Sequence, residues 1–135
     1  MDWITEIARI HRDCSIMELD QIGLELDDKY SLDWFIEIWS NQNCEIETYR
    51  IDRKIVGFVT NIEGEVMIYV DPDNQRKGVG SYLIPREGAM WVIDGNKISE
   101  KFFEKNGFFK TEESREAKLF GHKVNENLWL WLGLG

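Results

Sequence analysis

Two glycines flanked by basic residues lie in the middle of the chain, in the segment Gln75-Arg76-Lys77-Gly78-Val79-Gly80. Because Gly78 and Gly80 lack side chains, backbone N–H groups can close around an anion there. A helix beginning near Gly80 would add the positive end of its dipole, and Arg76 and Lys77 add full charges. The spacing is neither that of a Walker P-loop nor that of a dinucleotide fingerprint. Taken alone, the segment indicates an anion site or an ordinary tight turn.

A second pattern follows downstream, in the stretch WVIDGNKISEKFFEKNGF (residues 91–108). It contains the end of an apolar strand, then Asn96, an aromatic pair at Phe102 and Phe103, and an Asn-Gly pair suited to ending a helix. The order from Val66 to Phe109 is therefore strand, glycine loop, helix, strand, asparagine and helix.

Together the two patterns resemble the GNAT acyltransferase superfamily, whose members carry [QR]xxGx[GA] after a hydrophobic strand and later an Asn and a helix ending in FYEKxGF. The resemblance covers about a third of the chain. The matching residues are Gln75, Gly78, Gly80, Asn96, Phe102, Phe103, Glu104, Lys105, Gly107 and Phe108.

The resemblance implies an α/β (α+β) fold in one domain, residues 1–135, of the acyl-CoA N-acyltransferase type. Its sheet would be mixed and mostly antiparallel, with helices on both faces and a parallel, splayed central pair of strands. Acetyl-CoA would lie in that splay as co-substrate, with its diphosphate on the glycine loop. The implied cofactor-binding residues are Ile68, Tyr69, Val70, Gln75, Arg76, Lys77, Gly78, Val79, Gly80, Ser81, Asn96, Phe102, Phe103 and Lys105.

The chain departs from the family at Phe103, where the family usually has a tyrosine that protonates the departing CoA thiolate. A phenyl ring donates no proton, so another donor or water must act, and thiolate is a tolerable leaving group because the thiol pKa is only about 8.5. Tyr82 and Tyr69 are the nearest hydroxyls in sequence, and we predict Tyr82 as the catalytic donor. The alternative is a protein that binds CoA without turnover.

An amine acceptor must lose a proton before it attacks, which a general base assists. The family often places a carboxylate early on the central strand, and the matching residue is Glu65, which we predict as the catalytic base; its other reading is a surface carboxylate. His122 has a suitable pKa but lies in a polar segment, which favours a surface position. Cys14 and Cys44 lie outside both motifs and are predicted to pack.

Hydrophobic periodicity predicts the elements that hold these residues. Asp2 and Ser31 are predicted to cap two amphipathic helices, and Ile16–Leu26 between them is ambiguous. A meander of three strands, an apolar strand that runs parallel to the third, a helix from Asn96 and two last strands follow. The predicted strands are Glu45–Ile51, Ile55–Thr60, Val66–Val70, Met90–Ile93, Phe108–Thr111 and Val124–Leu132. The alternating Leu and Trp of Leu128–Leu132 predict core or a homodimer edge.

Composition narrows the class of protein. With 43% hydrophobic residues and two cysteines among 135 residues, the chain is typical of a soluble, cytoplasmic domain with no disulfide framework, metal site, secretory signal or membrane helix. The net charge of −9 argues against nucleic-acid binding. Residues 1–50 hold 12 of the 25 acidic residues and 4 of the 16 basic ones, which would attract a cationic amine.

The sequence therefore predicts an acetyl-CoA-dependent N-acetyltransferase that moves the acetyl group directly to a primary amine of a cationic small molecule. The alternatives are a non-catalytic CoA-binding or interaction module, motivated by Phe103, and an acetyltransferase acting on a protein lysine or N-terminus.

Overall fold

The computed structural model describes residues 2–131. None of the helices in this range is both long and apolar enough to cross a membrane. In chain order the elements are α1 (Trp3–Asp20), α2 (Leu32–Ser40), β1 (Ile46–Ile51), β2 (Lys54–Ile62), β3 (Glu65–Val70), α3 (Val79–Leu83), β4 (Ala89–Ile93), α4 (Lys97–Lys105), β5 (Phe108–Leu119) and β6 (His122–Trp131).

The two predicted N-terminal helices are confirmed, with the predicted caps. The Asp2 carboxylate accepts a hydrogen bond from the Thr5 N–H at 2.8 Å, and the Ser31 hydroxyl accepts one from the Trp34 N–H at 3.3 Å. Each satisfies a backbone donor that has no partner within its helix. Helix α1 continues to Asp20, into the segment that the sequence left ambiguous, because this extension buries Leu19 completely.

The strands form two antiparallel sheets, with the orders β1-β2-β3 and β4-β6-β5. The predicted meander is confirmed. Strands β3 and β4 lie next to each other, but no ladder joins them within residues 2–131. The predicted central pair is thus splayed to the point where the sheet is divided in two.

Helices cover both faces of the first sheet, as predicted. On one face Ile55 and Phe58 of β2 pack with α1 and α2, and on the other face Val56 and Val59 pack with α3. A register shift opposite Tyr49 and Arg50 inserts an extra residue into β2. Because of this bulge, Ile55 and Phe58 face the same core although they are three residues apart.

Helix α3 is only five residues long and ends before Pro85, which therefore lies outside it. Its position is fixed by close packing on β2. A Cβ on Gly57 would lie 2.8 Å from Cγ1 of Val79, so the strand and the helix approach closely only because Gly57 has no side chain.

The predicted strand Phe108–Thr111 was too short, since β5 continues to Leu119, whereas the predicted strand Val124–Leu132 corresponds to β6; the two form a hairpin of twelve and ten residues. Charged residues alternate along its outer part, and this hid the strand signal. The hairpin turns at Phe120-Gly121, both with positive φ, which suits a tight two-residue loop. Within the alternating Leu–Trp segment Trp129 is buried core, whereas Leu132 lies outside the described residues.

An ion pair ties α1 to the chain leaving β3. Arg9 donates to Asp71 at 3.0 Å and to Asp13 at 3.0 Å, and the side chain of Asp71 is only 4% exposed whereas that of Asp13 is 37% exposed. Burial raises the pKa of the Asp71 carboxyl, but hydrogen bonds from Arg9 and from the Asp73 N–H outweigh burial and hold the pKa below its ordinary value.

We expect Asp71→Asn to lower the free energy of unfolding by about 1–3 kcal/mol at pH 7, because the Arg9 charge loses its buried partner. The matched variant Asp13→Asn removes the exposed partner of the same arginine and should cost about 0.5 kcal/mol or less. Urea denaturation of both variants measures the difference.

The stabilisation by Asp71 should also depend on pH. Because the folded-state pKa is lowered, the stabilisation is complete above the unfolded-state value of about 3.9 and is lost as the pH falls through the folded-state value. Asp71→Asn should therefore approach the wild type in stability at low pH. Equal losses in the Asp71 and Asp13 variants would contradict this account.

Candidate functional site

The glycine loop leads from β3 into α3 with its backbone N–H groups unpaired. Arg76 and Gly78 have φ values of 65° and 81°, a left-handed backbone that glycine adopts without strain and arginine does not. From residue 76 to residue 81, no backbone N–H donates a hydrogen bond to another residue of the described chain. Consecutive N–H groups without partners form a concave site for an anion.

This loop closes one end of a cleft of about 440 Å³ between α1, β3 and α4. Its floor is the carboxyl half of β3, on the side where the two sheets separate. The predicted cofactor-binding residues in its lining are Ile68, Tyr69, Val70, Gln75, Arg76, Gly78, Gly80, Ser81, Asn96, Phe102, Phe103 and Lys105.

Two of the predicted cofactor-binding residues do not line the cleft with their side chains. Lys77 instead donates to the side chain of Asn74 at 3.3 Å, and Val79 is buried in the core between α3 and β2. The backbone N–H groups of both belong to the unpaired run.

Gly80 is where α3 and α4 come closest. A Cβ built on Gly80 would lie 2.7 Å from Cε1 and 2.9 Å from Cζ of the Phe102 ring. A side chain there would push the ring, or α3 itself, out of place. Gly80 is thus required for the close approach of the loop to the wall of the cleft.

Phe103 is a core residue at the edge of the cleft. Its ring is 5% exposed and makes edge contacts with Phe102 and Phe108, with Trp129 also beside it. The cleft does contain a phenol, because Tyr69 lies in its lining. Burial raises the pKa of the Tyr69 hydroxyl, which therefore stays protonated.

Neither predicted catalytic residue lies in the lining of this cleft. Tyr82 is 70% exposed, and its ring packs against that of Tyr49. Glu65, at the start of β3, accepts a hydrogen bond of 2.6 Å from Arg115 of β5, whose Nε also donates to Glu126 at 2.8 Å. Their catalytic roles stay predictions.

Asn96 joins the ends of α1 and α4. It caps α4 by accepting from the Ser99 N–H at 3.2 Å, and it accepts from Nε2 of Gln21 at 2.7 Å. Gln21 in turn accepts from the Ile98 N–H at 3.0 Å. Ile98 is 42% exposed and lines the cleft, because the start of α4 lies over the opening and not over the core.

Sequence reasoning missed the whole contribution of α1 to the cleft, which consists of Cys14, Met17, Glu18 and Gln21. The signal was present, since these residues recur at three- and four-residue spacing on the face that begins with Ile7 and Ile10. A carboxylate at such a position is unexpected on a buried face.

The carboxyl of Glu18 has a raised pKa. Burial and, to a smaller extent, the charge of Glu126 on β6 raise its pKa to about 7, whereas a hydrogen bond with the side chain of Asn96 acts in the opposite direction. The thiol of Cys14 donates to the Val70 carbonyl oxygen at 3.1 Å, and burial raises its pKa.

Comparison with known proteins supports the fold over nearly the whole chain. Apo-form YjaB from Escherichia coli superposes with a TM-score of 0.67 at 18% identity, covering 97% of this chain and 89% of that one. The ribosomal-protein-alanine N-acetyltransferase from Brucella melitensis superposes with a TM-score of 0.61 at 14% identity and covers 93% of this chain and 91% of that one. The structure of yncA from Salmonella typhimurium, solved with its cofactor acetyl-CoA, superposes with a TM-score of 0.59 at 18% identity and covers 96% of this chain and 88% of that one.

Sequence comparison is more specific. The uncharacterized N-acetyltransferase YafP of Escherichia coli (strain K12) is 32% identical over 69 residues, which are 48% of this chain and 46% of that protein. The chain thus spans about half the length of the curated relative it matches. The profile of the acetyltransferase (GNAT) domain matches residues 42–110, from just after α2 into β5. This match includes both motifs and about half of the chain, and the chain belongs to the GNAT acetyltransferase family.

Proposed function

We propose that this protein is an N-acetyltransferase that binds acetyl-CoA in the cleft between α1 and α4 and transfers the acetyl group directly to a primary amine. The observation that carries the proposal is the run of unpaired N–H groups at residues 76–81, at the closed end of that cleft. The family assignment makes acetyl-CoA the natural occupant.

Successive parts of the cleft match the diphosphate and the pantetheine arm of acetyl-CoA. The unpaired N–H groups and the Arg76 guanidinium would hold the diphosphate, which carries the negative charge that such groups bind. The extended pantetheine arm would follow the backbone of β3 at residues 68–70, where the splay leaves room beside the strand. Lys101 and Lys105 of α4 add positive charge on the opposite wall. Acetyl-CoA supplies the activated acyl group when it is bound.

Direct transfer to the amine is favoured over an acyl-enzyme. The thiol of Cys14 lies in the cleft, but burial raises its pKa and it donates to a backbone oxygen. A buried, protonated thiol is a poor nucleophile, because the thiolate is the reactive form.

A cationic small molecule is the acceptor that the charge distribution favours. Residues 1–50 carry three acidic residues for each basic one and supply α1, which forms one wall of the cleft. An acidic segment beside the cleft raises the local concentration of a protonated amine. The lysines lie instead on α4, on the CoA side.

The direct test is calorimetry with acetyl-CoA followed by a thiol-release assay. We expect binding, and release of free CoA with at least one amine from a panel of putrescine, spermidine, tyramine and free lysine. Peptides with a free N-terminal alanine or an internal lysine form the second arm, which detects a protein acceptor. Binding without thiol release from any amine would mean a non-catalytic CoA-binding module, and absence of binding would contradict the assignment of the cleft.

Arg76→Ala should raise the Kd for acetyl-CoA about 3–10-fold, because a charge-assisted contact with the diphosphate is lost. The matched variant Lys118→Ala removes an exposed cation of β5 outside the cleft lining and should leave the Kd unchanged. The difference should shrink at about 0.5 M salt, which screens exposed charges. Equal effects of the two variants would place the diphosphate elsewhere.

Gly80→Ala should weaken acetyl-CoA binding and destabilise the protein by about 1–3 kcal/mol, because the new methyl group meets the Phe102 ring. Phe102→Leu removes the ring atoms at the point of contact, so the double variant should recover part of both losses. Denaturation and calorimetry on the four proteins measure the coupling, and strictly additive losses would contradict this geometry.

A further inference from the structure

Glu18 is the one carboxylate among the residues that line the cleft in the described part of the chain. It lies in the last turn of α1, four residues after Cys14 and three before Gln21. Within residues 2–131 no lysine, arginine or histidine forms an ion pair with it. A carboxylate largely removed from water without a cationic partner costs stability.

The groups around Glu18 do not neutralise it. Tyr69 on β3 and Cys14 on α1 itself are both held protonated by burial, and Glu126 on β6 already has Arg115 as its partner. The side chain of Asn96, which caps α4 and interacts with Glu18, is neutral, whereas the lysines of α4 in the lining, Lys97, Lys101 and Lys105, are all exposed. The fold thus keeps a carboxylate in the cleft and supplies no cation for it.

We propose that Glu18 is the general base that takes the proton from the acceptor amine, a role that rests on the proposed acetyl transfer. The amine nitrogen forms a bond to the acetyl carbon, and the bond between that carbon and the CoA sulfur breaks with its electron pair leaving on sulfur. Before the attack the bound ammonium gives one proton to the Glu18 carboxylate, which releases it to solvent, and after the attack the nitrogen gives a second proton, through water, to the CoA thiolate. The products are the amide and free CoA.

Geometry and chemistry support this role together. The carboxylate lines the same cleft as Tyr69 of β3 and as Asn96, Phe102 and Phe103 of the second motif. Its pKa of about 7 makes it an effective proton acceptor near neutral pH, where a base must be partly ionised and still basic. Glu65, the base predicted from the sequence, is engaged by Arg115 and is absent from this lining.

The experiment compares Glu18→Gln with Glu18→Asp, Glu65→Gln and the control Asp20→Asn. Asp20 is an exposed carboxylate of the same helix, outside the cleft lining. The assay uses acetyl-CoA and the best amine of the panel above, chosen with its own pKa above about 9 so that it titrates apart from a group near 7. We expect Glu18→Gln to lower kcat/KM about 10²–10⁴-fold, with Kd for acetyl-CoA within about threefold of the wild type.

Three further results are expected. In the wild type, kcat/KM should rise with pH through about 7, and Glu18→Gln should lack this limb. Glu18→Asp, which keeps a carboxylate, should recover part of the rate and retain a limb. Asp20→Asn should match the wild type throughout.

Thermal unfolding gives a readout that does not depend on turnover. Because the folded-state pKa of Glu18 is raised, ionisation destabilises the fold as the pH rises from about 4.3 to 7. Glu18→Gln should therefore melt higher than the wild type at pH 8, with a smaller difference at pH 5. A carboxylate that served only to stabilise the fold would give the opposite sign.

The outcomes separate this proposal from the proposed function. If the wild type acetylates an amine and Glu18→Gln has the same kcat/KM, the role of Glu18 is overturned but the proposed acetyltransferase activity is retained. The same holds if only Glu65→Gln removes the rise of kcat/KM with pH. If the wild type binds acetyl-CoA but acetylates no amine or peptide, both are overturned. A lower melting temperature of Glu18→Gln at pH 8, with weakened acetyl-CoA binding, would make Glu18 a structural residue and overturn the role.

Discussion

The missing ladder between β3 and β4 is the constraint on which the rest of the structure depends. Adjacent strands normally satisfy each other's backbone groups, and an edge without a partner must be satisfied in another way. Here the sheet is divided at this position, and the carbonyl oxygen of Val70 accepts from Cys14 Sγ at 3.1 Å and from Gln75 Nε2 at 3.3 Å. Side chains thus replace the absent strand, and the space beside β3 becomes the cleft.

Without further contacts, the positions of the two sheets relative to each other would be poorly fixed. Arg115 supplies a connection at the far end of β3: it binds Glu65 of the first sheet and Glu126 of the second, and its guanidinium lies over the ring of Trp91 at 4.1 Å. The sheets are therefore held together where β3 begins and separate where it ends. This asymmetry places the cleft beside the glycine loop.

Helix α1 connects the parts of the site that are distant in sequence. Its Arg9 pairs with Asp71 on the chain that leads into the glycine loop, and its Gln21 pairs with Asn96 at the start of α4. The helix thereby sets the width of the cleft, and it brings Glu18 to the wall between these two attachments. At the cleft a predominantly acidic segment faces the basic loop and α4, so the two walls of the cleft differ in charge.

The sequence by itself determined what depends on neighbouring residues: the Ser31 cap, the meander and the glycine loop follow from turn chemistry and periodicity, and the two motifs sufficed to identify the family. Most of the predicted cofactor-binding residues were placed in one cleft for the same reason, because they lie on consecutive elements of one crossover. Tertiary structure decided the rest. Whether a carboxylate is exposed, paired or enclosed depends on elements that are distant in the chain. Glu65 is therefore paired with Arg115, and Glu18 lines the cleft although no sequence motif contains it. The full length of β5 likewise depends on contacts at the tip of the hairpin, where Phe120 packs on Tyr30, because the outer part of this strand carries mostly polar residues.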